Sequence, residues 1–202
     1  MNEELIWVSM TVLGFLLGAI PFGIVISKAL GQPDPRTAGS KNIGFTNVLR
    51  VSGKKAGILT LLGDLGKGWV IAWAAMHWLT VESYIMVVAL APILGHLFSP
   101  FLGFKGGKGV ATAVGVLLGL NPWMGLLAVA IWIMVAAIWR MSSLAALAAA
   151  GLAPIYALFF LGLESGTFVV LVMSLLIIWR HKSNIASLIA GKETRIGKRS
   201  TP

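Results

Sequence analysis

The sequence predicts an all-α integral membrane protein, a polytopic bundle of about seven transmembrane helices. Of its 202 residues, 57% are hydrophobic and only 11% are charged, whereas a soluble domain carries about 25% charged residues. Several apolar runs approach the roughly 20 residues that a helix needs to cross a bilayer. Between these runs, the basic residues gather in a few short segments. We therefore expect the whole chain, residues 1–202, to form one membrane domain.

Seven apolar runs are the candidate spans. In chain order they cover residues 5–27, 56–79, 84–101, 110–120, 123–139, 141–163 and 166–179. The first run follows Glu3 and Glu4 and lacks the basic start of a signal peptide, so we expect it to be retained. Residues 123–163 carry one charge, Arg140, and as one helix would measure about 60 Å. This run must therefore fold back near residues 140–143.

The charges predict an N-terminus outside the cell and a cytoplasmic C-terminus. Seven crossings in this orientation place 15 of the 16 basic residues on the inner side, the exception being Lys67 within a span. The outer segments then carry only the glutamates at positions 3, 4, 82 and 164. Treating 110–139 as one span broken at Asn121 would move Arg140 and the basic tail outside, against the positive-inside rule.

The composition also excludes several kinds of chemistry. The chain has no cysteine, which rules out disulfides, iron–sulfur clusters, thiolate-bound zinc and a cysteine acyl-enzyme. With three histidines and seven carboxylates, we predict no metal site and no cofactor. The net charge of +9 is explained by membrane orientation, so we expect membrane lipids as partners and no nucleic acid.

Three polar segments on the predicted inner side, residues 38–55, 95–112 and 180–193, are the candidate functional regions. The middle segment contains a glycine-rich turn with two lysines that leads directly into a helical pattern. Its open backbone amides and the helix N-terminus favour an anion, most naturally a phosphate. It is not a Walker A loop, because Leu102 and Gly109 stand where that motif needs glycine and serine or threonine. A flexible inner loop with ordinary basic residues is the alternative.

The first and third segments have different polar compositions. The first offers serine, threonine and asparagine groups suited to hydroxyls and phosphate oxygens, although a plain turn followed by a helix N-cap would use the same residues. The third places His181 and Asn184 three residues apart, on one face of a helix continuing from the last span. Histidine exchanges a proton near neutral pH, but a histidine at headgroup level in a lipid-binding tail is the alternative.

Within the second span, Asp64 and Lys67 are also three residues apart. Charges inside a membrane are costly, so we expect these two side chains to pair and face the protein interior, in a structural role. Contact with a polar cavity is the alternative. Pro21, Pro92 and Pro154 are interpreted as ordinary packing and kinking within spans. These residues alone are compatible with an enzyme that joins a lipid-like substrate to a phosphorylated one, or with a transporter of phosphorylated anionic solutes. The absence of visible repeats disfavours the transporter.

The motifs resemble those of a known family. The patterns Gly-Ser-x-Asn-Ile-Gly-x-Thr-Asn, Gly-Phe-Lys-Gly-Gly-Lys-Gly-Val-Ala-Thr and Arg-His-x-x-Asn-Ile occur in this order, as in the bacterial acyl-phosphate-dependent glycerol-3-phosphate acyltransferases, the PlsY family. The resemblance implies transfer of a fatty acyl group from acyl phosphate to the 1-hydroxyl of sn-glycerol 3-phosphate. The products would be lysophosphatidic acid and phosphate, the first step of phospholipid synthesis. It also implies a multi-pass protein of the bacterial inner membrane with its active site facing the cytoplasm.

The resemblance also implies roles for particular residues. The catalytic candidates are His181, Asn184, Lys108 and Ser40. The candidates for binding the two phosphates are Gly39, Asn42, Thr46, Asn47, Arg50, Lys105, Gly106, Gly107, Gly109 and Ser143. The supporting candidates are His96, Asp64 and Lys67. Which set holds which phosphate stays open, as does the base, which is either His181 or a phosphate oxygen of the substrate.

Three positions depart from the family pattern. The family usually has glycine where Lys41 stands, alanine where Phe45 stands, and serine where Ala146 stands. If the family glycine has a positive φ, the backbone at Lys41 would be strained.

Overall fold

The computed structural model describes residues 2–197, and all regular structure in this range is helical. The α-helices are α1 (Glu3–Ala19), α2 (Phe22–Ala29), α3 (Phe45–Val51), α4 (Gly53–Trp78), α5 (Glu82–Leu97), α6 (Val110–Leu120), α7 (Pro122–Trp139), α8 (Ser142–Leu161), α9 (Ser165–Arg180) and α10 (Lys182–Ile189). One 3₁₀ turn, Pro100–Leu102, follows α5. The predicted all-α class is confirmed. Lys198 and Arg199, counted above in the basic tail, lie outside the described residues.

By length and apolarity, the described residues contain four to six complete membrane crossings. Four helices are long enough alone: α4, α5 with its 3₁₀ turn, α7 and α8. The pairs α1–α2 and α9–α10 qualify only when each bent pair is counted as one span. Helix α6 matches the predicted run 110–120, but its 11 residues measure only about 16 Å. The predicted apolar helices are therefore present, and α6 reaches about halfway across a bilayer.

The first predicted span, 5–27, is broken rather than continuous. Helix α1 ends at Ala19, and α2 begins at Phe22 after a bend of 49°. Pro21, at the break, has no N–H to continue the helix. The buried ammonium of Lys67 donates to the carbonyl oxygen of Ile20 at 3.0 Å. The predicted kink at Pro21 is therefore present, and a side chain of α4 satisfies the carbonyl that the break exposes.

Polar contacts divide the bundle into two ends. At one end, the Glu3 carboxylate at the start of α1 accepts from the backbone N–H of Thr80, just after α4, at 2.6 Å. At the same end, the Glu82 carboxylate of α5 accepts from the Ser165 hydroxyl at 2.6 Å and from the Gly166 N–H at 3.1 Å. We call this the glutamate end. The three polar segments meet at the opposite end, which we call the site end.

The central helices pack with their backbones in close contact, and α4 against α6 is the clearest case. A β-carbon added at Gly68 of α4 would lie 2.2 Å from the carbonyl oxygen of Thr112. Reciprocally, a β-carbon at Gly115 of α6 would lie 2.0 Å from the carbonyl oxygen of Leu65. Small residues at helix interfaces allow this approach in membranes. The packing fixes α6, and hence the loop that precedes it, against α4.

Two helix connections at the site end bear on the predictions. Helix α7 ends at Trp139 and α8 begins at Ser142, with Arg140 between them at φ +57°, so the predicted fold-back at 140–143 is confirmed. Helix α9 does not continue straight through His181, because α9 and α10 differ in direction by 61°. His181 is instead the junction residue that precedes α10.

Candidate active site

The glycine-rich loop 103–109 is folded onto the end of α5. The Gly106 N–H donates to the Leu97 carbonyl at 3.0 Å, and the Gly107 N–H donates to the His96 carbonyl at 3.1 Å. A β-carbon at Gly106 would lie 2.0 Å from the His96 carbonyl oxygen. These two amides are therefore occupied within the protein. This corrects the predicted phosphate cradle at Gly106 and Gly107, where glycine is needed for close packing.

Arg180, at the end of α9, binds the other side of the same loop. Its Nε donates to the Gly107 carbonyl at 3.0 Å, and its Nη2 donates to the Gly106 carbonyl at 2.5 Å. Gly109 then adopts φ +82° and precedes the first turn of α6. Both N–H and both C=O groups of the two glycines are thus bonded within the chain. The result is a fixed loop that presents Lys108 beside the N-terminus of α6.

A buried cluster of three side chains lies beneath this loop. The Lys67 ammonium is 2.8 Å from Asp64 Oδ1 and 2.8 Å from His96 Nδ1, and all three residues are at most 5% exposed. When Lys67 donates to Nδ1, the neutral imidazole carries its hydrogen on Nε2, the atom packed against Gly107. The predicted Asp64–Lys67 pair is confirmed. His96 extends it to the end of α5, directly under the loop.

A hydrogen-bonded network joins the loop, α8 and the third polar segment. The Lys108 ammonium donates to Asn184 Oδ1. The Asn184 side-chain amide donates to Glu193 Oε1 at 2.9 Å, and the Ser143 hydroxyl donates to the same oxygen at 2.7 Å. Three predicted site residues thus meet around a carboxylate that the predicted set omits. Glu193 could have been found from the sequence, because it is the sole carboxylate within 180–193.

Asn47 organises the first polar segment from within. Its Oδ1 accepts from the backbone N–H of Ser40 at 2.9 Å, and its Nδ2 donates to the carbonyls of Pro35 at 2.7 Å and Asn42 at 2.9 Å. Gly39 adopts φ +62°, and a β-carbon there would lie 2.3 Å from Asn47 Oδ1. Asn47 and Gly39, predicted as phosphate ligands, therefore shape the loop around Ser40. The Asn47 amide is fully used by the chain itself.

The first segment reaches the network through the start of α8. The hydroxyl oxygens of Thr46 and Ser142 are hydrogen-bonded at 2.9 Å, and Ser142 precedes the Ser143 that binds Glu193. All three polar segments therefore lie at the same end of the bundle. In contrast to Lys108, Lys105 projects as an exposed side chain, and Arg50 is half-buried on α3.

Burial determines the protonation of two site residues. His181 is 2% exposed, and burial lowers the pKa of its imidazole to about 4. Its Nδ1 lies 2.8 Å from the Ile177 carbonyl oxygen, which can only accept, so Nδ1 carries the hydrogen and Nε2 has a free lone pair. Burial also lowers the pKa of the Lys108 ammonium. The site thus combines a neutral hydrogen-bond acceptor with a partly desolvated cation.

Within residues 2–197, no three histidine, aspartate or glutamate side chains are close enough to hold a metal ion. The site combines ammonium, guanidinium, amide and hydroxyl groups with the His181 imidazole and the Glu193 carboxylate. These groups suit phosphate and hydroxyl ligands. Together with the apolar bundle beneath it, the site defines a class of protein: a membrane enzyme that handles an anionic headgroup at one end of its helices.

Comparison with known proteins specifies this class further. Residues 8–191 match the family described as glycerol-3-phosphate acyltransferase. The glycerol-3-phosphate acyltransferase of Nitrosospira multiformis is 61% identical over 191 residues, covering 93% of this chain and 95% of that one. The enzyme of the same name from Thiobacillus denitrificans is 49% identical, covering 95% and 98%. This chain belongs to the glycerol-3-phosphate acyltransferase family, which confirms the resemblance drawn from its motifs.

Two solved structures share the fold. The crystal structure of PlsY, an integral membrane glycerol 3-phosphate acyltransferase, in its glycerol 3-phosphate form superposes with a TM-score of 0.90 at 38% identity and covers 95% of this chain and 96% of that one. The lysophosphatidic acid form gives a TM-score of 0.87 and covers 95% of each chain. The chain is therefore an acyltransferase with the integral membrane fold of PlsY.

Proposed function

We propose that this protein transfers a fatty acyl group from acyl phosphate to the 1-hydroxyl of sn-glycerol 3-phosphate. The hydroxyl oxygen attacks the acyl carbonyl carbon, the new ester bond forms, and the bond from that carbon to the phosphate oxygen breaks. The products are lysophosphatidic acid and inorganic phosphate. Because acyl phosphate is a mixed anhydride with a good leaving group, the reaction requires no covalent enzyme intermediate. The relatives' names and the two ligand forms of PlsY support this assignment.

The environment of Lys108 is the observation that carries the proposal. Its ammonium is largely removed from water and bonds to a neutral amide, and within residues 2–197 it makes no salt bridge. The nearby Glu193 carboxylate attracts this ammonium without a direct salt bridge. A phosphate could bond to it directly, so the position favours an anionic ligand. Lys108 also stands beside the N-terminus of α6, which attracts anions as well. We therefore assign one substrate phosphate to Lys108.

The second phosphate would lie towards the first segment. Ser40 and Asn42 lie there on a loop that Asn47 holds in shape, and Thr46 and Arg50 follow on α3. Together they supply hydroxyl, amide and guanidinium donors. Arg50 can bind phosphate through two parallel hydrogen bonds. Ser143 and Glu193 lie between the two groups of donors.

His181 is suited to orienting the glycerol 3-phosphate acceptor, and less suited to acting as the general base that takes the proton of its 1-hydroxyl. A neutral imidazole with a pKa of about 4 is a weaker base than a phosphate group, whose second pKa is about 6. We propose that His181 Nε2 accepts a hydrogen bond from the 1-hydroxyl and that a substrate phosphate oxygen receives the proton. Asn184, bonded to both Lys108 and Glu193, would hold the acceptor beside this histidine.

We further propose that the protein lies in the bacterial inner membrane with this site facing the cytoplasm. Lys108, Arg140 and Lys182 lie at the site end, whereas Glu82 and Glu164 flank the opposite end. This distribution follows the positive-inside rule if the site end is cytoplasmic.

The decisive experiment is phosphate release by purified protein given palmitoyl phosphate, with and without glycerol 3-phosphate. We expect phosphate release to depend on the acceptor and to match the lysophosphatidic acid formed, mole for mole. Heat-inactivated protein is the control for spontaneous hydrolysis. Uptake of glycerol 3-phosphate into proteoliposomes without any ester formation would instead support the transporter.

A further inference from the structure

The buried ammonium of Lys67 connects three parts of the bundle. Three acceptor atoms surround it: Asp64 Oδ1 at 2.8 Å, His96 Nδ1 at 2.8 Å and the carbonyl oxygen of Ile20 at 3.0 Å. A lysine ammonium carries three N–H donors and no acceptor, so its donors and the surrounding acceptors are equal in number. One side chain of α4 thereby holds together the break between α1 and α2 and the end of α5.

A second side chain anchors the end of α5 to the same break. Ser99 follows α5 and is 1% exposed, and its hydroxyl donates to the carbonyl oxygen of Ala19 at 2.6 Å. Helix α1 ends at Ala19, and Ile20 caps it. Carbonyls that a helix break frees within a membrane need partners inside the protein. Here the two partners fix the end of α5 against α1 and α4.

His96 transmits this anchoring to the glycine-rich loop. Its backbone carbonyl accepts from the Gly107 N–H at 3.1 Å, and its ring lies where a β-carbon on Gly107 would come within 2.2 Å of Nε2. Because the Lys67 ammonium can only donate, the ring is held with Nδ1 towards α4 and Nε2 towards Gly107. Gly107 directly precedes Lys108. The position of the ring therefore determines where the backbone of Lys108 begins.

Stability alone does not account for charged groups in this position, because well-packed apolar residues are often at least as stabilising as a buried ion pair. We propose that Asp64, Lys67 and His96 are positioning residues for acyl transfer. They hold the His96 ring against Gly107 and thereby keep Lys108 where it binds a substrate phosphate. This inference rests on the proposed function, which assigns a phosphate to Lys108. The three residues make no contact with substrate in this proposal, so their whole effect passes through the loop.

A double-mutant cycle with Lys108→Ala tests the proposal. Asp64→Asn and Lys67→Met are combined in one cluster variant, so that no uncompensated charge stays buried. With Lys108 present, the cluster variant should lower kcat/KM by about five- to twentyfold and raise the KM of the same substrate whose KM responds to Lys108→Ala. With alanine at position 108, it should lower kcat/KM by less than about twofold. No loss, or an equally large loss in both backgrounds, would show that the proposal is wrong.

Thr60→Val is the matched control on the same helix. Thr60 is fully buried on α4, and its hydroxyl donates to the Ala56 carbonyl at 2.8 Å, within that helix. The variant removes a buried polar group of α4 without touching the cluster, so kcat/KM should stay within about twofold of wild type. A loss in Thr60→Val that also depends on Lys108 would mean that any change in α4 has this effect, and would overturn the proposal.

His96→Asn tests the ring directly and keeps the proposal testable if the cluster variant does not fold. The asparagine amide oxygen can replace Nδ1 as an acceptor for Lys67, but the shorter side chain no longer reaches Gly107. We expect the same loss of kcat/KM as in the cluster variant and the same dependence on Lys108. Wild-type kcat/KM in His96→Asn would overturn the proposal, whereas the proposed function fails only if the wild type forms no lysophosphatidic acid.

Discussion

At the scale of single residues, the two lysines of the glycine-rich loop differ in environment although the sequence presents them alike. Lys108 is largely desolvated and bonded to Asn184, whereas Lys105 is exposed. An exposed charge is screened by water and ions. A charged hydrogen bond in a desolvated site contributes about 10- to 100-fold to binding. The structure therefore assigns unequal importance to the pair.

We predict that Lys108→Ala lowers kcat/KM by about 10- to 100-fold and that Lys105→Ala lowers it by less than about fivefold. The two variants remove the same side chain from the same loop, so each serves as the control for the other. Steady-state kinetics with both substrates varied would also show whose KM responds. Equal losses in the two variants would contradict the assignment of a phosphate to Lys108.

The role of His181 is tested by the pH dependence of kcat. A base works only when deprotonated, so activity falls as the pH drops through its pKa. If a substrate phosphate is the base, kcat should fall near about pH 6, and His181→Gln should keep this limb at a lower rate. If His181 were the base, the decline would come near its pKa of about 4 and would disappear in the variant. We expect the first result, measured at saturating substrate.

Lys41 is a residue whose backbone strain was predicted from the sequence. Its φ is +55°, so the strain expected from the family's glycine is present in the backbone. A non-glycine residue in this conformation destabilises the folded protein by about 1–2 kcal/mol. Substitution by glycine removes this strain but also makes the unfolded chain more flexible, so we expect a net gain of about half that amount. We predict that Lys41→Gly raises the apparent Tm in detergent by about 1–3 °C. Lys41→Ala retains the β-carbon and should give no such increase.

At the scale of helices, close packing decides where the site loop stands. Helix α6 contacts α4 through Gly115, and α6 begins directly after Lys108 and Gly109. The apolar sequence of α6 predicted its bounds, because residues 110–120 are apolar and flanked by Gly109 and Asn121. Its partner was not predictable, since the sequence lists glycines on several helices without saying which ones meet.

We predict that Gly115→Ala destabilises the protein by about 1–3 kcal/mol, because the added methyl group would overlap the Leu65 carbonyl and force α4 and α6 apart. Gly151→Ala is the matched control, since Gly151 is also helical and has no atom within 4 Å of the position that a β-carbon would take. That variant should be unchanged or slightly more stable. Thermal unfolding in detergent compares them, and equal Tm values would contradict the packing argument.

At the scale of the whole molecule, the two ends of the bundle differ in what their polar residues do. The glutamate end holds helices together through Glu3 and Glu82, whereas the other end gathers the three polar segments. Antiparallel helices joined by short turns force this division, since alternate connections must lie at the same end. The orientation of these two ends in the membrane is the remaining prediction at this scale.

The absence of cysteine allows the orientation to be tested with single introduced cysteines. Leu163→Cys lies at the glutamate end, where Leu163 is 90% exposed, and Ser183→Cys lies at an exposed position of α10 at the site end. In intact spheroplasts, a membrane-impermeant maleimide should label the first and spare the second. After lysis, both should react. Labelling of the second alone would reverse the predicted orientation.

The sequence determined the class of fold, the apolar helices and the identity of the polar segments. Hydrophobic runs, charge distribution and turn residues are local properties, and each is readable without knowing what packs against it. The same local information made Lys108, His181 and Asn184 candidate site residues, and the resemblance to the family added Ser143. It also gave the family, because the motifs are contiguous stretches of chain.

Only the tertiary structure decided how those residues are used. It showed that the Gly106 and Gly107 amides are bonded to the end of α5 and that the Asn47 side chain is hydrogen-bonded to the backbone of its own loop. It also placed Glu193 at the centre of the network. It also revealed the break at Pro21. A donor can bind a substrate only if no other part of the chain already occupies it. That occupancy depends on residues up to 100 positions away in sequence, which meet only when the helices pack.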